Sequence, residues 1–137
     1  MAGPINIALT GLTAATRQLN ASASNIANLQ TVGSLQEGGQ APYTPLTTSQ
    51  TTVTGEGGQP FGVNSTYAPR NPPFVPAFDP DSPFADENGV IGVPNINLAE
   101  EAVNLNLAEL TFKANVSVIE TAADLDKELL SIFDERV

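Results

Sequence analysis

The chain has 137 residues, room for one domain of ordinary size, and carries fifteen Asp and Glu against five Lys and Arg, a formal net charge of -10. That balance repels phosphate backbones and anionic lipid surfaces, and no basic patch offsets it, which argues against nucleic-acid binding. With no His and no Cys in the sequence, His-based triads, Cys/His pairs, His-ligated zinc and disulfide frameworks are ruled out.

The first stretch, "MAGPINIALTGLTAATRQLN", lacks the basic start and compact apolar core of a secretory signal peptide. No segment approaches the roughly 20 apolar residues of a membrane span, so the sequence alone reads as cytoplasmic. Ile5, Leu9, Leu12, Thr16, Leu19, Ala23 and Ile26 follow a 4-3-4-3 spacing. This predicts a helix from about residue 5 to Asn28 with a coiled-coil-like seam, stopped by Gly33 beyond it. Arg17 is its one charge. A helix that is otherwise Thr, Ser, Asn, Gln and Ala suits close packing among several neighbours better than a face in water.

Residues 34–95 hold most of the Gly and Pro and read as turns and short strands. Thr47 to Thr54, rich in β-branched residues, predicts one strand, and the alternation from Phe61 to Tyr67 a second, with "GEGG" as the loop between them. "YAPRNPPFVPAFDPDSPF" has six prolines in eighteen residues, each removing a backbone donor, which predicts an extended, edge-like path rather than a central strand or helix. Glu87-Asn88-Gly89 predicts a turn leading into a short strand from Val90 to Val93.

The last third is the strongest signal. Asn97 followed by Glu100 is a capping-box-like start, and Glu100 and Glu101 sit where the helix dipole favours negative charge. No Gly or Pro follows, which predicts one helix of about 38 residues, about 57 Å long. Its apolar residues form two stripes. One is Leu98, Ala102, Leu105, Phe112, Val116, Ile119, Ala123, Leu130 and Phe133; the other is Leu107, Leu110, Ala114, Val118, Ala122, Leu125, Leu129 and Ile132. The shorter N-terminal helix can cover only one of them, so the other is expected to need a partner from outside the chain.

Chemical sites are poorly supported. Asp79-x-Asp81 fits the start of a calcium-binding EF-hand loop, but the sixth position is Phe84 and the twelfth Val90 where the loop needs Gly and Glu, so a solvated turn is the reading. Paired carboxylates for sugar-polymer hydrolysis would need an aromatic-lined cleft, and the chain has no Trp. Gly55, Gly57 and Gly58 precede no GK[ST] and make a hairpin loop, not a phosphate cradle. Lys113 with Glu109, and Lys127 with Asp124, read as local helix supports. For Arg17 two readings stand open, a solvated side chain or a partner for a neighbour's acidic C-terminal helix.

The segment "LTAATRQLNASASNIANLQTVG", with its Ser-Asn-Ile-Ala-Asn run at Ser24 to Asn28, resembles the N-terminal signature of bacterial flagellar axial proteins. "PFADENG" (Pro83 to Gly89), "PNIN" (Pro94 to Asn97) and "TFKANVSVIET" on the last helix resemble, in order, the C-terminal segment of the proximal-rod branch of that family. Departures are Leu-Gln-Thr-Val-Gly after Asn28, Phe112 and Lys113 where an aromatic and Gln are usual, and the acidic tail "LLSIFDERV". The resemblance implies an α+β fold in which the long N- and C-terminal helices (within 1–33 and 96–137) pair as a coiled-coil-like inner domain, with a small Gly/Pro-rich β-hairpin middle region at 34–95. It implies a structural, non-catalytic rod subunit without cofactor, metal or small-molecule substrate. Its partners would be other rod subunits, copies of itself and the flagellar type III export apparatus. Export by that route needs no cleavable signal, and the cytoplasmic reading gives way to the periplasm-spanning rod.

An assembly interface is then expected at Leu12, Leu19, Ser24, Asn25, Ile26 and Asn28 on the first helix, with the Ser24–Asn28 run giving a narrow amide-bearing face between neighbours. On the last helix it is expected at Leu105, Leu110, Phe112, Asn115, Val118, Ile119, Leu125 and Leu129. Ile26→Asp is expected to block incorporation and leave the middle region folded. The competing reading is a non-polymerising adaptor or chaperone-like helix-binding module of flagellar assembly.

Overall fold

A computed structural model describes residues 3–134; residues 1–2 and 135–137, which the expected terminal regions include, lie outside the described residues. The elements run α1 (Pro4–Ala27), β1 (Leu46–Thr54), β2 (Pro60–Pro69), β3 (Phe74–Phe78), β4 (Val90–Pro94) and α2 (Leu98–Asp134). Two long helices and two two-stranded antiparallel sheets make an α+β fold.

α1 begins where Pro4 presets the first helical turn after an extended Gly3, and ends at Asn28, whose N–H reaches back to Ser24 O. Its packing corrects the expected seam. Leu9, Thr16, Leu19 and Ala23 are exposed, and the buried residues are Ala8, Ala14, Ala15, Ala21, Ser22 and Asn25. The reason is space. A Cβ added at Gly11 would stand 2.4 Å from the Asn115 side chain of α2, so the helix backbones approach closely and only small side chains fit between them. Leucine bulk is left outside. The amphipathic signal therefore follows the border of the contact and the outside of α1, with Ile5, Leu12 and Ile26 half-buried, and not its inner face.

The helices are antiparallel: Asn25 meets Glu101, Gly11 meets Asn115, and Pro4 lies beside Thr121 and Leu125. On α2 the innermost residues are Glu101 and Ala108, with Asn115 and Ala122 half-buried at the same seven-residue spacing. This line runs between the two apolar stripes, so α1 covers neither of them in full. With 37 residues against 24, α2 is also about 20 Å longer than α1 at 1.5 Å per residue, and its last turns extend past Pro4.

β1 and β2 form the expected hairpin, in register from Leu46↔Pro69 to Val53↔Gly62, with a bulge between Val53 and Thr54. Gly57 and Gly58 adopt φ of +84° and +76° in its loop. The ribbon lies against α1, where Val63 N–H donates to Thr10 Oγ1 at 3.1 Å.

The proline-rich segment contains a strand where the sequence suggested only an extended path. β3 pairs with β4, Pro76 opposite Gly92 and Phe74 opposite Pro94. Gly92 exchanges both its backbone bonds with Gly33, on the side away from β3. The Pro76/Gly92 pair is thus one that makes no ladder bonds, as is Phe74/Pro94 two residues on, and the missing proline N–H groups leave no gap in the ladder. The acidic turn joining the two strands is built by Asp86, whose Oδ1 accepts from Asn88 N–H and Val90 N–H at 2.8 Å each. Gly89, at φ +76°, closes it against Phe78 and Pro80.

Candidate functional site

Two features stand out, a buried polar junction where four segments meet and a long uncovered apolar surface. The junction is centred on Asn25 of the Ser24–Asn28 run, 1% exposed. Its Nδ2 donates to Leu46 O at 2.8 Å and to Glu101 Oε1 at 2.9 Å. Its Oδ1 accepts from Leu46 N–H at 2.8 Å and from the Tyr43 hydroxyl at 3.2 Å. Ser24 Oγ lies 2.9 Å from the same hydroxyl, and Asn28 Nδ2 donates back to Ser24 O at 2.9 Å. One side chain thereby ties α1 to β1, to the 34–45 segment and to α2.

Glu101 is equally buried and receives a second donor, Arg70 Nη2, at 3.0 Å. Arg70 also grips Glu100 with both Nη atoms, at 2.9 and 3.0 Å. These hydrogen bonds raise the Arg70 pKa and lower that of Glu100, with the desolvation of each group opposing the shift. Asn97 caps α2 as expected, accepting from Ala99 N–H and Glu100 N–H. The Glu100 carboxylate does not complete the box; it turns to Arg70 instead. Arg70, Glu101 and Tyr43 were missed in the sequence, because their meeting depends on how the β1–β2 ribbon folds back onto α1.

The apolar surface is mainly that of α2. Leu110 is 66% exposed, Leu125 58% and Leu129 55%; Phe112 and Val118 are also exposed, and Leu105 and Ile119 half-buried. On α1 Leu19 is exposed and Leu12 and Ile26 are half-buried. The fold brings several of these together. Leu19 and Phe112 flank a shallow groove floored by Ala15 and Ala108, and Val118 and Leu125 line another beside Pro4. Asn115 is not in this surface; its side chain fills the space over Gly11. Ser24, Asn25 and Asn28 have their polar atoms committed within the chain.

Arg17 lies half-buried beside Val53, Val63 and Ser65, and among the described residues it pairs with no carboxylate. Lys113–Glu109 and Lys127–Asp124 are the expected pairs along α2, and Lys113 lowers the pKa of Glu109. Among the described residues no cluster of three or more Asp or Glu is arranged to hold a metal ion, and no helix is long and apolar enough to cross a membrane.

The helix pair leaves an apolar flank bare, and the chain is similar to known proteins over nearly its whole length. The chain is 32% identical over 128 residues to the flagellar basal-body rod protein FlgC of Yersinia enterocolitica, covering 93% of each chain. It is 29% identical over the same span to that of Salmonella typhimurium. The chain belongs to the FlgC family of flagellar basal-body rod proteins. Against FlgC of Borreliella burgdorferi the identity is 26% over 146 residues, with 93% of this chain and 94% of the other covered. No family model matches the sequence. FlgC proteins are structural components of the flagellar basal body, and the buried Asn25 junction is the structural setting of the Ser24–Asn28 run in this member.

Proposed function

We propose that the chain is a non-catalytic structural subunit of the proximal rod, polymerising with other rod proteins and with copies of itself to carry torque across the periplasm. The observation that carries this is the uncovered apolar flank of α2. Leu110, Leu125 and Leu129 project along one side of the helix and stay more than half exposed among the described residues. In the rod, α1 and α2 form a coiled-coil-like inner domain with the helices of adjacent subunits, and the middle region, 34–95, lies outside it. The interface comprises Leu12, Leu19 and Ile26 of α1 with Leu105, Leu110, Phe112, Val118, Ile119, Leu125 and Leu129 of α2. The chain reaches the rod through the type III export apparatus, and uses no cofactor, nucleic acid or small-molecule substrate.

Clean deletion of the gene tests the assignment. Non-swimming cells whose basal bodies stop at rings without a rod support it. Swimming cells with complete basal bodies would instead favour a non-polymerising adaptor that engages a partner's helix.

A further inference from the structure

Residues facing each other in an antiparallel ladder alternate between exchanging both backbone bonds and turning both groups outward. Leu46 is of the second kind: its N–H and C=O point away from β2, and the Asn25 side chain takes both. Val63 shows the same parity on the other strand, since it faces Thr52 and sends its N–H outward to Thr10. The register is unbroken from Leu46 to Val53, so Thr48, Gln50 and Thr52 also turn their N–H and C=O groups outward. Among the described residues, nothing meets those groups.

A side-chain amide that satisfies both backbone groups of one residue does what a residue of a neighbouring strand would do. Asn25 occupies the first place of a third strand, and the places after it are open. Sheet edges are ordinarily guarded by Lys, Pro or a bulge. β1, LTTSQTTVT, carries neither charge nor proline and bulges only at its far end.

The open edge lines a groove of about 380 Å³, together with Ala21 and Ser22 of α1 and Glu100 and Asn104 of α2. Both helices share the groove with the edge, so an extended segment paired there meets α1 and α2 as well as the strand. At about 3.3 Å per residue, the edge beyond Asn25, from Thr48 to Thr52, takes about five residues. Its charge is set by two carboxylates, Glu100 and Glu101, sharing one guanidinium, and the Glu100 side chain is 50% exposed. Apart from Arg70 of the groove itself, the described segments outside strands and helices bear only acids, Glu37, Glu56 and those from Asp79 to Glu87, which would set carboxylate against carboxylate here.

We propose that the β1 edge takes up an extended segment of about five residues from a different protein, bound as a third strand by its backbone, with a Lys or Arg side chain against Glu100. This stands apart from the rod reading, because it rests on the ribbon and the groove alone.

The test is an amide-resolved NMR titration of the full chain with the blocked peptide TVKVT. Chemical-shift changes are expected at Thr48, Gln50 and Thr52, with affinity about tenfold weaker for TVEVT. Binding is expected to vanish when alternate peptide nitrogens are methylated. Gln50→Pro removes an outward N–H without touching the ladder, so it should keep the circular dichroism of the parent and lose the peptide. If that variant unfolds, the methylated peptide against the unaltered chain still decides the matter. No shifts up to about 5 mM peptide, shifts scattered over the acidic turn, or equal binding of the methylated peptide would overturn the proposal. Self-association through the same amides, abolished by Gln50→Pro, would also overturn it by making a second copy the occupant.

Discussion

Replacing Asn25 by Ala removes one side chain and takes a hydrogen bond from three kinds of group. The four hydrogen bonds lost are those to Leu46 O, Leu46 N–H, the Tyr43 hydroxyl and the Glu101 carboxylate. At about 1 kcal/mol for each neutral bond and about 2 kcal/mol for the charged one, the gross loss is about 5 kcal/mol. Leu46 is half-buried beside the open groove, so water entering the vacated space re-solvates its backbone and brings the expected loss down to about 3 kcal/mol. Glu101 keeps Arg70 as partner, which prevents the larger cost of a buried unpaired charge. Urea unfolding followed by circular dichroism measures the difference. A double-mutant cycle with Glu101→Gln should return a coupling of about 1–2 kcal/mol, since the two side chains share one bond. A loss below about 1 kcal/mol for Asn25→Ala, or no coupling, would refute the claim that this residue holds the four segments together.

Glu100 has its pKa lowered below the ordinary 4.5 by Arg70, so its contribution is present above that value and is lost as pH falls through the lowered one. Acid titration of stability should therefore show a shallow decline below pH 4.5 that Glu100→Gln flattens. Because the side chain is half-exposed, the amplitude should stay under about 1 kcal/mol and shrink in high salt. Gly33→Ala would place a Cβ 2.3 Å from the Pro42 backbone nitrogen, which cannot rotate away. It should cost about 1–3 kcal/mol and speed hydrogen exchange in β4, whose Gly92 is bonded to Gly33. Leu110→Asp alters a residue 66% exposed, so unfolding free energy should change by no more than about 0.5 kcal/mol while complementation of swimming is lost.

Both long helices were legible because each is an uninterrupted run without internal Gly or Pro in the case of α2, or with only Gly11 in α1, and Asn97 announced the start of α2 by its chemistry. The β1–β2 hairpin was legible from β-branched residues on either side of a glycine loop. The inner face of α1 was not, because Ala8, Ala15 and Ser22 carry almost no hydrophobic weight and periodicity followed the leucines. β3 was hidden by Pro76 and the prolines on either side of the strand, and Pro76 is harmless only in the register that Gly33 and Gly92 impose. Arg70 and Glu101 are 31 residues apart and come together through the fold alone. The Ser24–Asn28 run was legible as a family signature, but not as the centre of a buried polar junction.

The most direct measurement of the rod account places a photo-crosslinking amino acid at position 110 and illuminates living cells before basal bodies are isolated. The account predicts covalent adducts with other rod subunits or with copies of this chain, recovered in the rod fraction. Recovery of the chain only as uncrosslinked monomer, outside basal bodies, would contradict it.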